Sequence, residues 1–320
     1  MKLKKIIAGA AILLALTTSV FAAKAKKSDK LKVVTTIFPE YDWAREIIGD
    51  KASNVELTLL LGNGVDLHSY QPSIQDIVKI STADIFIYVG GESDGWVKDA
   101  LKNATNKNMK VINLMETLGD KLKAEEEELE HHHHHHDDED EVEYDEHVWL
   151  SLRFAKILTT EIANALCEKD AANAAAYKAN LSAFAAKLDA LDAKYAAAVK
   201  AGSKNTILFG DRFPFRYFVE DYGLDYFAAF AGCSAETEAS FETVIFLSKK
   251  VDELGLNSVL KIESSDGKIA RTIIQNTKSK NAKVLTMDAI QSTTLMQAKA
   301  GATYLSIMEG NLKVIEEALK

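Results

Sequence analysis

Short apolar runs alternate with amphipathic stretches along most of the chain. Lys32–Phe38 (KVVTTIF) is β-branched and stops at Pro39, which suits the first turn of a helix PEYDWAREIIG. The same pattern predicts a strand in VELTLLL (Val55–Leu61), a helix in SIQDIVKISTA and a strand in DIFIYVG. A helix in DGWVKDALKNA and a strand in KVINL follow. After an interruption the pattern resumes with a helix over Ser151–Cys167, and a second series starts at TILFG (Thr206–Gly210). That series continues with a helix near PFRYFVEDYG, strand YFAAFAG, helix SFETVIFLSKKVDELG, strand SVLKIE, helix DGKIARTIIQNTKS, strand AKVLTMD and a last helix over 301–320. Repeated βα order predicts parallel sheets covered by helices.

Between the two series, residues 170–201 are Ala-rich, carry good helix formers and have no Gly or Pro before the end. Their apolar positions are mostly Ala, with no sustained Leu/Ile seam, which argues against a coiled coil. One helix of about 45 Å is predicted, at ~1.5 Å per residue. The expected fold is therefore α/β: an N-terminal lobe over 31–167, a linking helix over 170–201 and a C-terminal lobe over 204–320. In open α/β sheets, ligands sit beyond the carboxyl ends of the strands, so the cleft between the lobes is the expected site.

Two segments fall outside this pattern. The chain opens with MKLKK, then IIAGAAILLALTTSVFA, with Val20 and Ala22 at the positions a signal peptidase requires. Residues 1–22 are read as a signal peptide, and an exported, periplasmic chain is expected. With no cysteine in that region, no lipid anchor is expected. The other segment is a loop over 125–146, which leads into His147. Glu125 to His147 holds 13 Asp and Glu, no Lys or Arg, and the six-histidine run His131, His132, His133, His134, His135 and His136. It carries the acidity of the whole chain: the remaining residues hold 38 basic against 34 acidic side chains, while the full chain is at −9. No basic face or nucleic-acid motif is present, so no nucleic-acid partner is expected. Cys167 and Cys233 are the only cysteines, and an oxidising compartment permits a bridge that spacing cannot establish.

Outside the run there are two histidines, His68 in GNGVDLHSYQPS and His147 in DEHVWLS. Both fall at predicted strand-end loops of one lobe. A lone histidine is more often a structural hydrogen-bonder, but two at one mouth, beside a His/acid tract, point to a metal.

The motifs GVDLHSYQPS, DEHVWLSL, ETEAS, LTMDAI and TYLSIMEGNL, in that order and around a long central helix, resemble the cluster A-I substrate-binding proteins of zinc/manganese ABC transporters. The resemblance spans the mature length. It implies two lobes, a rigid linking helix and one metal in the cleft, held by two N-lobe histidines, a C-lobe His or Glu, and a C-lobe carboxylate. Carried over, His68 and His147 are the N-lobe ligands and Asp288 is the carboxylate. The C-lobe His or Glu falls at Arg212, whose guanidinium has no lone pair to donate. Asp211, beside it, and Glu263, at the end of SVLKIE, are the alternative donors. Arg212 is expected to pair with an acid, Asp288 or Glu238.

Two imidazoles with carboxylates suit Zn2+, and also Mn2+ or Fe2+. In the family, an acidic His-rich loop is mostly a feature of zinc binders. Here it is internal, unlike a terminal tag, and is read as a weak metal-collecting loop. The expected function is a monomeric, non-enzymatic periplasmic receptor delivering zinc to an inner-membrane ABC permease. The alternatives are a manganese or iron receptor, a zinc-dependent hydrolase or a zinc buffer. Binding is expected to fail below about pH 6 as imidazole protonates.

Overall fold

The computed structural model describes residues 30–124, 143–232 and 238–320. The opening segment, the His131–His136 run and Cys233 lie outside the described residues. In the first lobe, β1 (Leu31–Thr35), α1 (Phe38–Ile48), β2 (Val55–Leu59), α2 (Ile74–Ser81), β3 (Ile85–Tyr88), α3 (Val97–Lys102), β4 (Lys110–Asn113) and α4 (Leu114–Leu118) alternate. α5 (Leu152–Lys169) closes it. The long helix α6 (Ala174–Ala201) leads into β5 (Thr206–Phe213), α7 (Arg216–Tyr222), β6 (Asp225–Ala231), α8 (Phe241–Leu254), β7 (Ser258–Ile262) and α9 (Lys268–Asn276). β8 (Lys283–Met287), α10 (Leu295–Lys299) and α11 (Tyr304–Ala318) complete the second lobe. No helix among the described residues is long and apolar enough to cross a membrane.

Each lobe is built on a four-stranded sheet, in the orders β2-β1-β3-β4 and β6-β5-β7-β8, with every pairing parallel. The central strands are buried on both faces, which is why Ile85–Ile87 and Ile207–Phe209 read as unbroken apolar runs. Phe38 differs from expectation: it begins α1 instead of ending β1, because Pro39 presets helical φ one residue later. β5 differs more. It runs on through Asp211 and Arg212 to Phe213, with a shift of register against β6 between Phe209 and Arg212. Such a bulge re-aims the side chains it contains.

The lobes are tied together. α6 binds both, with Asn180 Nδ2 donating to the Ile47 carbonyl of α1 and Tyr195 Oη to the Met308 carbonyl of α11. Arg45 of α1 donates to the carbonyls of Ala298 and Ala302, and Asp42 accepts from the Tyr304 backbone N–H. Trp149 Nε1 donates to Ala289 O, and Tyr304 Oη returns a bond to Trp149 O. One apolar core, including Trp43, Trp149, Tyr195, Phe209 and Tyr304, runs through both lobes. Hydrogen bonds buried in such a core resist relative motion of its halves.

Candidate metal centre

His68 sits in a one-turn 3-10 segment, Leu67–Ser69, that follows β2. Asp66 caps that turn, its Oδ1 accepting from the His68 N–H at 3.1 Å. The other oxygen, Oδ2, takes the Arg212 guanidinium at 2.9 Å. Burial alone would raise the Asp66 carboxyl, but the Arg212 hydrogen bond and charge outweigh it and hold it below its ordinary range. This pair crosses from lobe to lobe. Arg212 is thus paired, but with Asp66, and the expected Asp288 or Glu238 partners are not the ones used.

His147 ends the connection into α5. Asp145 Oδ1 accepts both its backbone N–H, at 2.8 Å, and its Nδ1–H, at 2.9 Å. The Asp145 carbonyl accepts from Tyr217 Oη of α7 at 2.7 Å, so the second lobe steadies the loop. A ring that gives Nδ1–H to a carboxylate keeps its lone pair on Nε2, the arrangement of a metal-ligating histidine.

The two Nε2 atoms face one another at 3.2 Å. A tetrahedral ion with Zn–N bonds of about 2.0–2.1 Å separates two ligating nitrogens by about 3.3–3.4 Å. His147 is fully buried and His68 nearly so. Burial, then the neighbouring His147 ring, pushes the His68 imidazole down to about 4, so it is neutral and ligand-competent well into acid. On its other side, His68 Nδ1 meets Ser93 Oγ at 2.8 Å and Glu146 Oε2 at 3.5 Å. Glu146 Oε1 accepts from the Ser93 N–H, while its buried Oε2 has no hydrogen-bond partner. Glu146 approaches so closely because Gly91, at φ 74°, has no Cβ to strike it. No motif flags Ser93 in the sequence, and Glu146 lies within DEHVWLS without being singled out as part of the centre. Their role emerges only when the chain around Gly91 folds under the His147 loop.

The predicted C-lobe donors stand at the carboxyl ends of their strands but are engaged there. Asp211 lies in the β5 bulge, with Oδ1 on the Arg212 N–H and Oδ2 on the Ile262 N–H. Glu263 accepts from the Ala289 N–H and Ser292 Oγ. Asp288 Oδ1 accepts from the Ile290 N–H. Burial first, and the charge of Glu263 second, raise the Asp288 carboxyl to about 7, so ligation would displace its proton. Among the described residues, no three His, Cys, Asp or Glu converge as one metal-holding group. The structure brings His68 and His147 together, and leaves Asp288, Asp211 and Glu263 on their own lobe. From that lobe, the side chain that does reach His68 is Gln291, with Nε2 at 3.4 Å from His68 Nε2. Cys167 is half-buried, with its Sγ 3.6 Å from the Ala174 carbonyl and no disulfide partner among the described residues.

Residues 33–318 match the family model described as zinc-uptake complex component A, periplasmic. The zinc-binding lipoprotein AdcA of Streptococcus pneumoniae serotype 4 is 32% identical over 298 residues, which cover 91% of this chain and 56% of that protein. The chain thus spans about half the length of AdcA. The high-affinity zinc uptake system protein ZnuA of Bacillus subtilis is 29% identical over 293 residues, covering 92% of this chain and 89% of that one. The crystal structure of the Zn(II)-bound ZnuA-like domain of S. pneumoniae AdcA superposes with a TM-score of 0.70 at 27% identity, over 91% of this chain and 99% of that one. The pneumococcal relative's name, a lipoprotein, differs from the expectation of no lipid anchor.

Proposed function

The chain belongs to the zinc-uptake complex component A family, and from that premise we propose that it is an exported receptor that captures Zn(II) between its lobes and passes it to an inner-membrane ABC permease. The observation that carries this reading is the meeting of two Nε2 lone pairs at 3.2 Å, each ring held from behind through Nδ1. Two neutral imidazole lone pairs repel unless a proton or a cation lies between them, and their spacing matches the edge of a zinc tetrahedron. His68 and His147 are the N-lobe ligands of this reading, with Asp288 the C-lobe carboxylate that the family resemblance implies and Asp211 or Glu263 the alternative donors where Arg212 replaces the family's His or Glu. Zinc-named relatives, and imidazole as the principal donor, favour Zn(II) over Mn(II) or Fe(II).

In this reading the protein performs no covalent chemistry. It acts as a monomer. The His131–His136 run raises the zinc concentration near the cleft. Metal-stripped protein titrated with Zn(II) against a competing chelator, beside Mn(II) and Fe(II), tests the proposal. Tight 1:1 zinc binding, lost in His68→Ala and His147→Ala, is the expected result. Equal zinc affinity in wild type and both variants would place the cargo site elsewhere.

A further inference from the structure

We propose that the side-chain amide oxygen of Gln291 ligates the ion held by His68 and His147, a step that rests on the receptor reading above. His68 Nε2 is the shared vertex: it meets His147 Nε2 at 3.2 Å and the Gln291 amide at 3.4 Å. Both separations match the ~3.3–3.4 Å edge of a zinc tetrahedron. Gln291 is 4% exposed, and its contact to His68 crosses from one lobe to the other. Among the described residues, no third His, Cys, Asp or Glu joins the pair, and the Gln291 amide is a C-lobe group in place to do so.

The metal-free contact explains itself and shows how the amide converts. His68 Nδ1 faces Ser93 Oγ and the Glu146 carboxylate, so the ring proton belongs on Nδ1 and the lone pair on Nε2. Gln291 caps that lone pair with its N–H. The terminal torsion of glutamine is broad and two-fold, and the amide O and N are nearly the same size. A half-turn about that bond presents Oε1 to a cation without moving the backbone.

The backbone before Gln291 is built for this delivery. Ile290 is fully buried and holds φ 61°, a left-handed conformation that is costly for a β-branched residue and persists only where its surroundings impose it. Its N–H closes the turn onto Asp288 Oδ1, while Asn311 fixes the Asp288 backbone through both N–H and C=O. The turn keeps the Asp288 carboxylate on its own loop and sends the next side chain but two to His68. A neutral amide binds Zn(II) less firmly than a carboxylate, which suits an ion that must be released.

The test uses the full chain, with Zn(II) and Co(II) as probes and the variants Gln291→Ala and Gln291→Glu. Zinc affinity should fall more than about 100-fold in Gln291→Ala, beyond the 10–100-fold typical of a group acting through a ligand. Gln291→Glu should retain binding. The d–d absorption of the Co(II) form should change in Gln291→Ala, while the melting temperature of the metal-free form stays at the wild-type value. The inference is overturned if Gln291→Ala binds zinc like wild type with an unchanged Co(II) spectrum. It is equally overturned if both variants lose affinity alike while that spectrum is unchanged. Failure of the receptor reading looks different: His68→Ala would then bind zinc as wild type does.

Discussion

A buried imidazole that faces a second imidazole cannot easily take a proton, and this sets the pH response of the centre. His68 titrates near 6.5 in an unfolded chain and at about 4 here. Between those values the unfolded chain binds a proton that the folded one refuses, so this residue's contribution to stability falls as pH drops from about 6.5 to about 4. The raised carboxyls of Asp94 and Asp288, both about 7, slope the other way, so the measurement must be a difference. Urea unfolding of metal-free wild type and His68→Gln at stepped pH should show the variant lacking the loss of stability between about pH 6.5 and 4 that His68 adds to the wild-type curve. The same pH dependence in both proteins would contradict the assigned burial. For the same reason, proton competition at His68 should weaken zinc binding nearer pH 4 than pH 6. Either histidine replaced by alanine should cost about 3 kcal/mol of zinc affinity, a fourth share of the ~10–16 kcal/mol of a structural zinc site. Chelator competition would read it. Both histidines were legible because they lie outside the run and within motifs. The Asp66–Arg212 pair and Gln291 were not, because each makes its defining contact across the lobes, and nothing in a glutamine's neighbours along the chain marks it as a donor.

At the scale of elements, periodicity located the alternating strands and helices, and the exceptions have local causes. The predicted helix over 170–201 begins at Ala174, after a 3-10 turn in which the Asp170 side chain accepts from Asn173 and Tyr177. β5 outruns its predicted end at Gly210 because a bulge absorbs the polar Asp211 and Arg212 into the strand, an event apolar patterning cannot signal. Gly210 enables it: a Cβ there would lie 2.5 Å from Ala270 Cα and 2.7 Å from Ala270 N, both backbone atoms of α9. Gly210→Ala should therefore destabilise the fold by about 1–3 kcal/mol, the usual cost of overpacking. It should also weaken zinc binding, because the displaced bulge carries Arg212 away from Asp66. Arg212→Ala should cost about 1–2 kcal/mol through the lost charged hydrogen bond to Asp66, lowering the melting temperature by a few degrees. Calorimetry on both variants separates the two effects: a Gly210→Ala protein as stable as wild type would show that α9 yields easily.

For the whole molecule, the bonds among α1, Trp149 and the α10–α11 region, laid over one shared core, imply that the lobes do not swing widely and that binding works through side chains at the cleft. The described residues that flank the acidic, His-rich segment are joined to each other. Ala124 and Tyr144 form an antiparallel bridge, and the Asp145 N–H donates to Lys123 O. Its ends are therefore already side by side, and Asp145, which orients His147, is held by Lys123 and by Tyr217 of α7 independently of what lies between. Replacing residues 125–143 with Asn-Gly, a pair that favours the tight turn joining antiparallel neighbours, should close the gap without disturbing the centre. Melting temperature should stay within a few degrees of wild type, since loop-closure entropy changes slowly with length. Calorimetric titration with Zn(II) should keep one tight site and lose the additional weak ones, because six imidazoles and eleven carboxylates leave with the segment. At low zinc, the shortened protein should load more slowly while reaching the same final affinity, as expected if the run acts by local concentration alone. Loss of the tight site on deletion would mean that the run supplies ligands to the centre, and that the collecting role is wrong.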